Sequence, residues 1–352
     1  MHSGQKRGLI DYAIARSDGN DCTIVGWRAK MLQVYTANRG GLQKAEPALD
    51  TALPADCIWL DLATPTFEEI QRVEEFLGLE VPSREEMQEI EISSRIYQED
   101  GALFLTSMVL AHADTEQPEL TPVTFILSGD RLATLRYAEP RPFAAFALRA
   151  QRPASGYHRG QLILTGLLEA IIDRAADILE RVVGDIDLVS RDVFRKGTNY
   201  SKDFQRVLET IGRKGDLVSK IRESQVGIGR LITFLLQASM SGKWPREVRN
   251  RLKTVSRDVQ SLTDHATFLS NKIAFLLDAT LGMINIEQNA IIKIFSVAAV
   301  VFLPPTLIAS IYGMNFKVMP ELSWPFGYPF AVGLMILSAL LPYWYFKRRG
   351  WL

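Results

Sequence analysis

The hydrophobic pattern is most distinctive near the end of the chain. From Ile294 to Tyr312 nineteen residues pass without a charge, about the length a helix needs to cross a ~30 Å hydrocarbon layer. One face of that helix is unlike a lipid-facing surface. Steps of four and three residues from Asp278 pass through Gly282, Asn285, Asn289, Ile292, Ser296, Ala299, Leu303, Thr306, Ser310 and Gly313, a row of small or polar positions with isolated bulky ones. Its mean period of ~3.5 residues is that of a helix packed against copies of itself. Polar groups at membrane depth face a bundle interior or a water-filled path. Small residues also permit close helix packing in membranes, but the row continues into two Asn and an Asp, which favours a pore lining. A second apolar stretch, 328–346, is followed by Lys347, Arg348 and Arg349. By the positive-inside rule these keep the C-terminus in the cytosol.

Upstream the period changes. Between Pro245 and Pro304 there is no proline, and Val248, Leu252, Val255, Val259, Leu262 and Leu269 run in helical register toward the membrane. About sixty residues at 1.5 Å each make a rod of roughly 90 Å, and Pro304-Pro305 predict a kink in its outer third. Leu162 to Leu179 and Phe204 to Leu235 give two more amphipathic helices, turned at Lys196–Ser201. Before them, strands are predicted at Met31–Ala37, Cys57–Leu62, Ala102–Leu110, Pro122–Leu127 and Leu132–Tyr137. Thr64-Pro65 and Gly78 bracket a helix of about thirteen residues, and a short helix from Pro82 carries Glu85, Glu86, Glu89 and Glu91. Strands interleaved with helices imply an α/β domain.

The predicted organisation is therefore an α/β cytosolic domain over 1–155 and a cytosolic helical hairpin over 156–240. A long stalk helix over 245–312 follows, its part from about 291 to 312 being transmembrane helix 1. An outer loop (313–327), transmembrane helix 2 (328–346) and a basic cytosolic tail (347–352) complete the chain. The 40 basic and 40 acidic residues balance, so net charge gives no reason to expect a nucleic-acid partner. Cys22 and Cys57 lack zinc-type spacing and read as reduced thiols. Lys6 and Arg7 are followed by no apolar segment of the signal-peptide kind.

At the outer end stands Tyr312-Gly313-Met314-Asn315-Phe316, then Met319-Pro320-Glu321-Leu322, Trp324 and Gly327-Tyr328-Pro329, before the second span and the basic tail. This ordered set resembles the signature of the CorA family of divalent-cation transporters, over roughly the last seventy residues. The preceding NIEQN, IIKIFSV and VVFLPPT segments are similar to those of the magnesium transport proteins of Gram-negative bacteria. The resemblance implies a homopentameric channel-like transporter in the bacterial inner membrane, with Mg2+ as substrate, Co2+ and Ni2+ as fellow permeants, and no separate cofactor. It implies that Gly313, Met314 and Asn315 of five subunits form the outer selectivity ring, with Glu321 as a ring of charge beside it.

The residues themselves fit that chemistry. Mg2+ prefers six oxygen ligands and sheds water reluctantly, so neutral oxygens touching its hydration shell suffice. The segment 291–312 contains no acid, and Lys293 is its only base. Thr306, Ser310, Ser296, Asn289 and Asn285 are the polar pore-lining candidates. Leu303 and Ile292, with Phe295 beside them, are hydrophobic constrictions that would gate by dewetting, and Asp278 is an acidic ring at the inner mouth. Two charges crossing 100 mV gain about 4.6 kcal/mol, and no GxxxxGK[ST] loop occurs. Family gating uses metal bound between cytosolic domains. Here the chain departs from the pattern: Glu86-Met87 stands where the family has an acidic pair, and Thr254 where it has a stalk aspartate. Glu86, Glu89, Glu91 and Asp258 are the substitute regulatory metal ligands.

Two other readings stay open. A zinc transporter of the related ZntB branch is disfavoured by four histidines in all, none beyond His265, and by the intact GMN. A membrane-tethered structural or signalling protein would give the polar stripe no role. Nothing groups a nucleophile with a base, so the chain does not read as an enzyme.

Overall fold

The computed structural model describes residues 32–38, 41–45, 51–89, 91–194, 203–242, 244–315 and 319–351, apart from the side chains of 92, 93, 321 and 322. Its N-terminal part is a seven-stranded sheet: β1 (Leu32–Asn38), β2 (Gly41–Ala45), β3 (Cys57–Ala63), β4 (Ile96–Glu99), β5 (Ala102–Ala111), β6 (Glu119–Ser128) and β7 (Arg131–Arg136). The order is β2-β1-β3-β7-β6-β5-β4. Neighbours are antiparallel except the central pair β3–β7, in which Trp59 lies beside Leu132 and Ala63 beside Arg136.

Both faces of the sheet are covered, and the alternation of side chains decides which residue meets which layer. Leu60, Leu62, Ile126 and Leu135 face α1 (Phe67–Leu77) and α2 (Arg84–Met87), meeting Val73 and Met87. Trp59, Leu105, Phe125 and Leu132 face the opposite way, onto Phe143 and Phe146 of α4 (Arg141–Ala150) and onto the long helices α5 (Gly160–Phe194), α6 (Phe204–Ser241) and α7 (Arg246–Tyr312). Farther from the sheet α5, α6 and α7 close a second core from Ile178, Val182, Ile186, Ile211, Ile221, Leu269, Ile273 and Leu276. Past Thr280 the buried positions of α7 almost cease, and among the described residues its main partner toward the C-terminal end is α8 (Gly327–Arg348).

Two glycines set how closely α5 approaches the sheet domain. A Cβ on Gly160 would lie 2.7 Å from the Arg131 carbonyl carbon, and one on Gly166 2.5 Å from the Phe146 ring and 2.7 Å from the Tyr157 ring. Gly166→Ala is therefore expected to destabilise the protein by about 1–3 kcal/mol through overpacking, read as a lowered thermal midpoint of the detergent-solubilised protein.

Several local expectations are corrected. The cap of α1 is Thr66, not Thr64. Its side chain accepts from the backbone N–H of Glu69, and the Glu69 carboxylate accepts from the Thr66 N–H at 2.9 Å. Only Thr66 has a glutamate three residues on, as a capping box requires, so Pro65 precedes the cap and the helix has 11 residues. Thr64 instead takes a positive φ of 51°. The acidic helix ends at Met87, leaving Glu89 and Glu91 outside it. Strands β2 and β4, helix α4 and the short turn of helix α3 (Ile92–Arg95) are additions to the predicted set. Pro245 stands at the N-cap of α7 rather than its first turn, and α7 runs as one helix of 67 residues, ~100 Å, through Pro304-Pro305. Cys57 is buried, its thiol pushed up to about 12 by desolvation. Cys22, Lys6, Arg7, Met31 and the 196–201 turn lie outside the described residues.

Candidate functional site

Helices α7 and α8 are both long and apolar enough to cross a membrane. Along the span α7 has two faces of different kind. Val297 is buried, and Val301, Pro304, Pro305, Ile308 and Tyr312 are half-buried. At ~100° per residue these positions share one side, and the burial comes from α8. The stripe from Asp278 to Gly313 lies roughly 180° away by the same geometry, and all eleven of its members, Asp278, Gly282, Asn285, Asn289, Ile292, Ser296, Ala299, Leu303, Thr306, Ser310 and Gly313, are exposed in the single chain. Phe295, at the edge of the stripe, is 71 % exposed and Leu303 66 %. The chain thus covers one face of its spanning helix with its own second span and leaves the polar-and-small face free.

One hydroxyl on that face is set up as an acceptor. Thr306 Oγ1 donates its proton to the Phe302 carbonyl at 2.7 Å, so what it turns outward is a pair of oxygen lone pairs. Water bound to a dication points its hydrogens outward and needs such acceptors. Prolines cannot donate a backbone N–H, so Pro304 and Pro305 leave the carbonyls four residues earlier, at Val300 and Val301, without their usual helical partners.

At the C-terminal end of α7 Gly313 forms the cap, its N–H donating to the Ala309 carbonyl at 3.0 Å, and Met314 N–H donates to the Ile311 carbonyl at 3.2 Å. Gly313 has φ −87°, open to any residue. Its smallness matters for space instead, because an added Cβ would lie 3.1 Å from the Ala309 oxygen. Met314 and Asn315 are exposed. Glu321 is in a short 3-10 turn, Pro320–Ser323, with its side chain outside the described residues. Trp324 lies 6.3 Å from Phe326 and 5.8 Å from Phe330 between ring centres. Tyr343, Trp344 and Tyr345 flank the other end of α8. Aromatic residues at both ends match the two interfacial belts of a membrane helix.

The four acids named for regulation are not brought together as a set. Ser83 caps α2, and the Glu86 carboxylate accepts from the Ser83 N–H at 2.8 Å while the Ser83 side chain accepts from the Glu86 N–H. Glu86 is thereby occupied in a capping box. Glu89 and Glu91 are exposed in the following connection. Asp258, exposed on α7, acts on α5: burial first, with the carboxylates of Glu169, Asp177 and Asp258 behind it and Arg149 opposing, raises the Asp173 carboxyl above its ordinary range. Among the described residues no three His, Cys, Asp or Glu side chains form a group able to hold a metal ion. The stalk is tied to this region by Arg251 of α7, which makes a two-pronged ion pair with Glu169 of α5 at 2.9 and 2.7 Å and donates to the Tyr157 hydroxyl at 3.3 Å.

Sequence reasoning missed the contribution of the last residues. Gly350 in a left-handed conformation after a helix end rich in Lys and Arg is a capping signal, and it places Trp351 against both α8 and α7.

Comparison with known proteins agrees with this architecture. The family model described as CorA-like Mg2+ transporter protein matches residues 54–348. The magnesium transport protein CorA of Pasteurella multocida is 39% identical over 295 residues, covering 84% of this chain and 92% of that protein. The protein of the same name from Salmonella typhimurium is 36% identical over 322 residues, 92% of this chain and 100% of that one. The complete structure of the CorA magnesium transporter from Methanocaldococcus jannaschii superposes with a TM-score of 0.71 at 19% identity, over 92% of this chain and 99% of that chain, a likeness of fold. With a family model spanning β3 to β7, the stalk and both membrane helices, and with relatives this similar over most of its length, the chain belongs to the CorA-like Mg2+ transporter family.

Proposed function

We propose that this protein carries Mg2+ across the bacterial inner membrane, passively and down the membrane potential, through a pore lined by α7 from each of five identical chains. The observation that carries this reading is the exposure of the whole Asp278–Gly313 stripe on the side of α7 turned away from α8. In a ring of copies that side faces the axis while α8 faces lipid. Gly313, Met314 and Asn315 receive the hydrated ion, with Glu321 concentrating cations outside them. Thr306, Ser310, Ser296, Asn289 and Asn285 contact its water shell, Leu303, Ile292 and Phe295 form the dewetting gate, and Asp278 rings the inner mouth. Co2+ and Ni2+, octahedral ions of similar hydration, follow the same path. Both termini lie in the cytosol. Sensing of cytosolic Mg2+ rests on Glu86, Glu89, Glu91 and Asp258 with ligands shared between neighbouring copies, Glu86 being held in place by the one carboxylate oxygen that joins its helix cap.

The test is uptake into vesicles reconstituted with the full-length protein and loaded with a Mg2+-sensitive dye. An imposed inside-negative potential is expected to drive Mg2+ entry at least tenfold faster than in empty vesicles. Flux of Zn2+ driven by a proton gradient, with no Mg2+ entry, would support the zinc reading instead; no flux of any ion would support a tether.

A further inference from the structure

The inner end of the two-helix unit carries four cations: Lys293 on α7, which reaches the tail through Trp351, and Lys347, Arg348 and Arg349 at the end of α8. None of them is in an ion pair among the described residues. Each faces an aromatic ring instead. Lys293 Nζ is 6.0 Å from the centre of the Trp351 ring and Lys347 Nζ 6.0 Å from Tyr343. The guanidinium carbons of Arg348 and Arg349 are 5.1 Å and 5.6 Å from Trp344 and Tyr345. A ring face holds a cation in place while leaving its N–H donors unspent.

The tail that completes this cluster is built. Gly350 has φ +70°, the left-handed region that a side chain would strain. Its N–H donates to the Lys347 carbonyl at 3.2 Å, and the Trp351 N–H donates to the Phe346 carbonyl at 3.1 Å. These are the two hydrogen bonds of a Schellman cap, and the apolar contact that accompanies such a cap is present as Trp351 stacked on Phe346 at 5.2 Å. The cap fixes Trp351 where Lys293 of the other helix lies over it. At ~100° per residue Lys293 lies about 70–90° around α7 from the centre of the polar stripe, at its margin, and its amine reaches Trp351 of the tail. Lys347, Arg348 and Arg349, being successive, fan around the end of α8, so that with Lys293 the charges form a collar at that end of the helix pair.

We propose that this cluster is a binding site for the phosphate headgroup of an anionic lipid in the cytosolic leaflet. The ligand is anionic, because among the described residues none of these four cations has a carboxylate partner. The guanidinium forks of Arg348 and Arg349 match phosphate oxygens in pairs. The exposed rings of Tyr343, Trp344 and Tyr345 sit at the depth where headgroup meets acyl chain. The assignment rests on α7 and α8 being membrane spans with a cytosolic tail, but not on which ion the protein carries.

Native mass spectrometry of the full-length protein released from nanodiscs tests it. With discs of phosphatidylcholine doped with phosphatidylglycerol, the wild-type protein is expected to retain phosphatidylglycerol well above its mole fraction. Since each basic residue near an anionic surface counts appreciably, Arg348→Gln/Arg349→Gln is expected to lower that retention about tenfold. Lys293→Gln leaves the positive-inside signal of the tail intact and is expected to lower it severalfold. Retention in proportion to mole fraction, or equal retention by both variants, overturns the proposal. So does displacement of the bound phosphatidylglycerol by soluble inorganic phosphate, which would assign the cluster to a free anion. Because binding is read without flux, a protein that retains the lipid but conducts nothing would count against the transport reading alone.

Discussion

Asn315→Ala is expected to reduce potential-driven Mg2+ entry to the level of empty vesicles while leaving the protein folded and assembled. Asn315 is exposed just beyond the end of α7 and forms no part of a buried core, so its removal has little to act on except the ion. Its amide oxygen is a neutral acceptor. A ring of such acceptors can hold a hydrated dication by its outward-pointing water hydrogens without stripping the shell, which Mg2+ resists. Alanine removes the acceptor from every copy at once, so a modest loss per subunit compounds around the ring. Asn315→Asp keeps an acceptor and adds charge, and is expected to retain binding but slow release, giving saturation at lower Mg2+. The measurement is the initial rate of dye response against external Mg2+ for the three proteins. Wild-type rates in Asn315→Ala would remove the outer ring as the selective element and shift attention to Thr306 and Asn289.

What could be read from the sequence follows from which interactions decide each element. The long helix was legible because its signals are local and repeated: no proline from Pro245 to Pro304, a steady apolar register, and a polar stripe whose period survives into the structure as a continuous exposed face. Strand β2, Gly-Leu-Gln-Lys-Ala, was not legible. Only Gly41 and Leu42 of its five residues are buried, and it is a strand because it pairs with β1, a tertiary cause that propensity does not carry. Helix α1 was placed correctly but capped wrongly, because two threonines flank Pro65 and only the spacing to Glu69 separates them. Glu86 shows the same limit at the candidate site: an acidic residue on a short helix reads as a ligand by composition, yet its spacing from Ser83 makes it a cap. The stripe is the pattern expected of a helix facing copies of itself, and the period carries no information on how many copies would close a ring.

Asp61→Ala is the substitution expected to cost the most stability. Asp61 and Arg136 are 3 % and 5 % exposed, on the adjacent parallel strands β3 and β7. The guanidinium donates from Nε to one carboxylate oxygen at 3.1 Å and from Nη2 to the other at 2.9 Å. Thr134 Oγ1 donates to the same carboxylate at 2.8 Å and accepts from the Trp59 indole at 3.0 Å. The remaining Arg136 donor Nη1 reaches the Ala138 carbonyl at 2.8 Å, and the guanidinium lies 5.0 Å from the Phe143 ring centre. Burial, with the Asp61 charge beside it, also pushes the Tyr35 hydroxyl up to about 12. Removing the carboxylate leaves a desolvated guanidinium at the middle of the sheet and a threonine with only the longer bond to the Leu60 carbonyl at 3.4 Å, and breaking a buried pair from one side costs about 3–5 kcal/mol. The pair need not be worth that much, because both charges were taken out of water to form it. Asp61→Leu/Arg136→Met, which fills the volume and removes both charges, is expected to be much closer to wild type than either single change. Denaturant unfolding of the detergent-solubilised protein reads the cycle. A double variant as unstable as the sum of the singles would mean that packing at β3–β7 outweighs the charges, whereas recovery would assign the penalty to an orphaned ion in the core that carries the stalk.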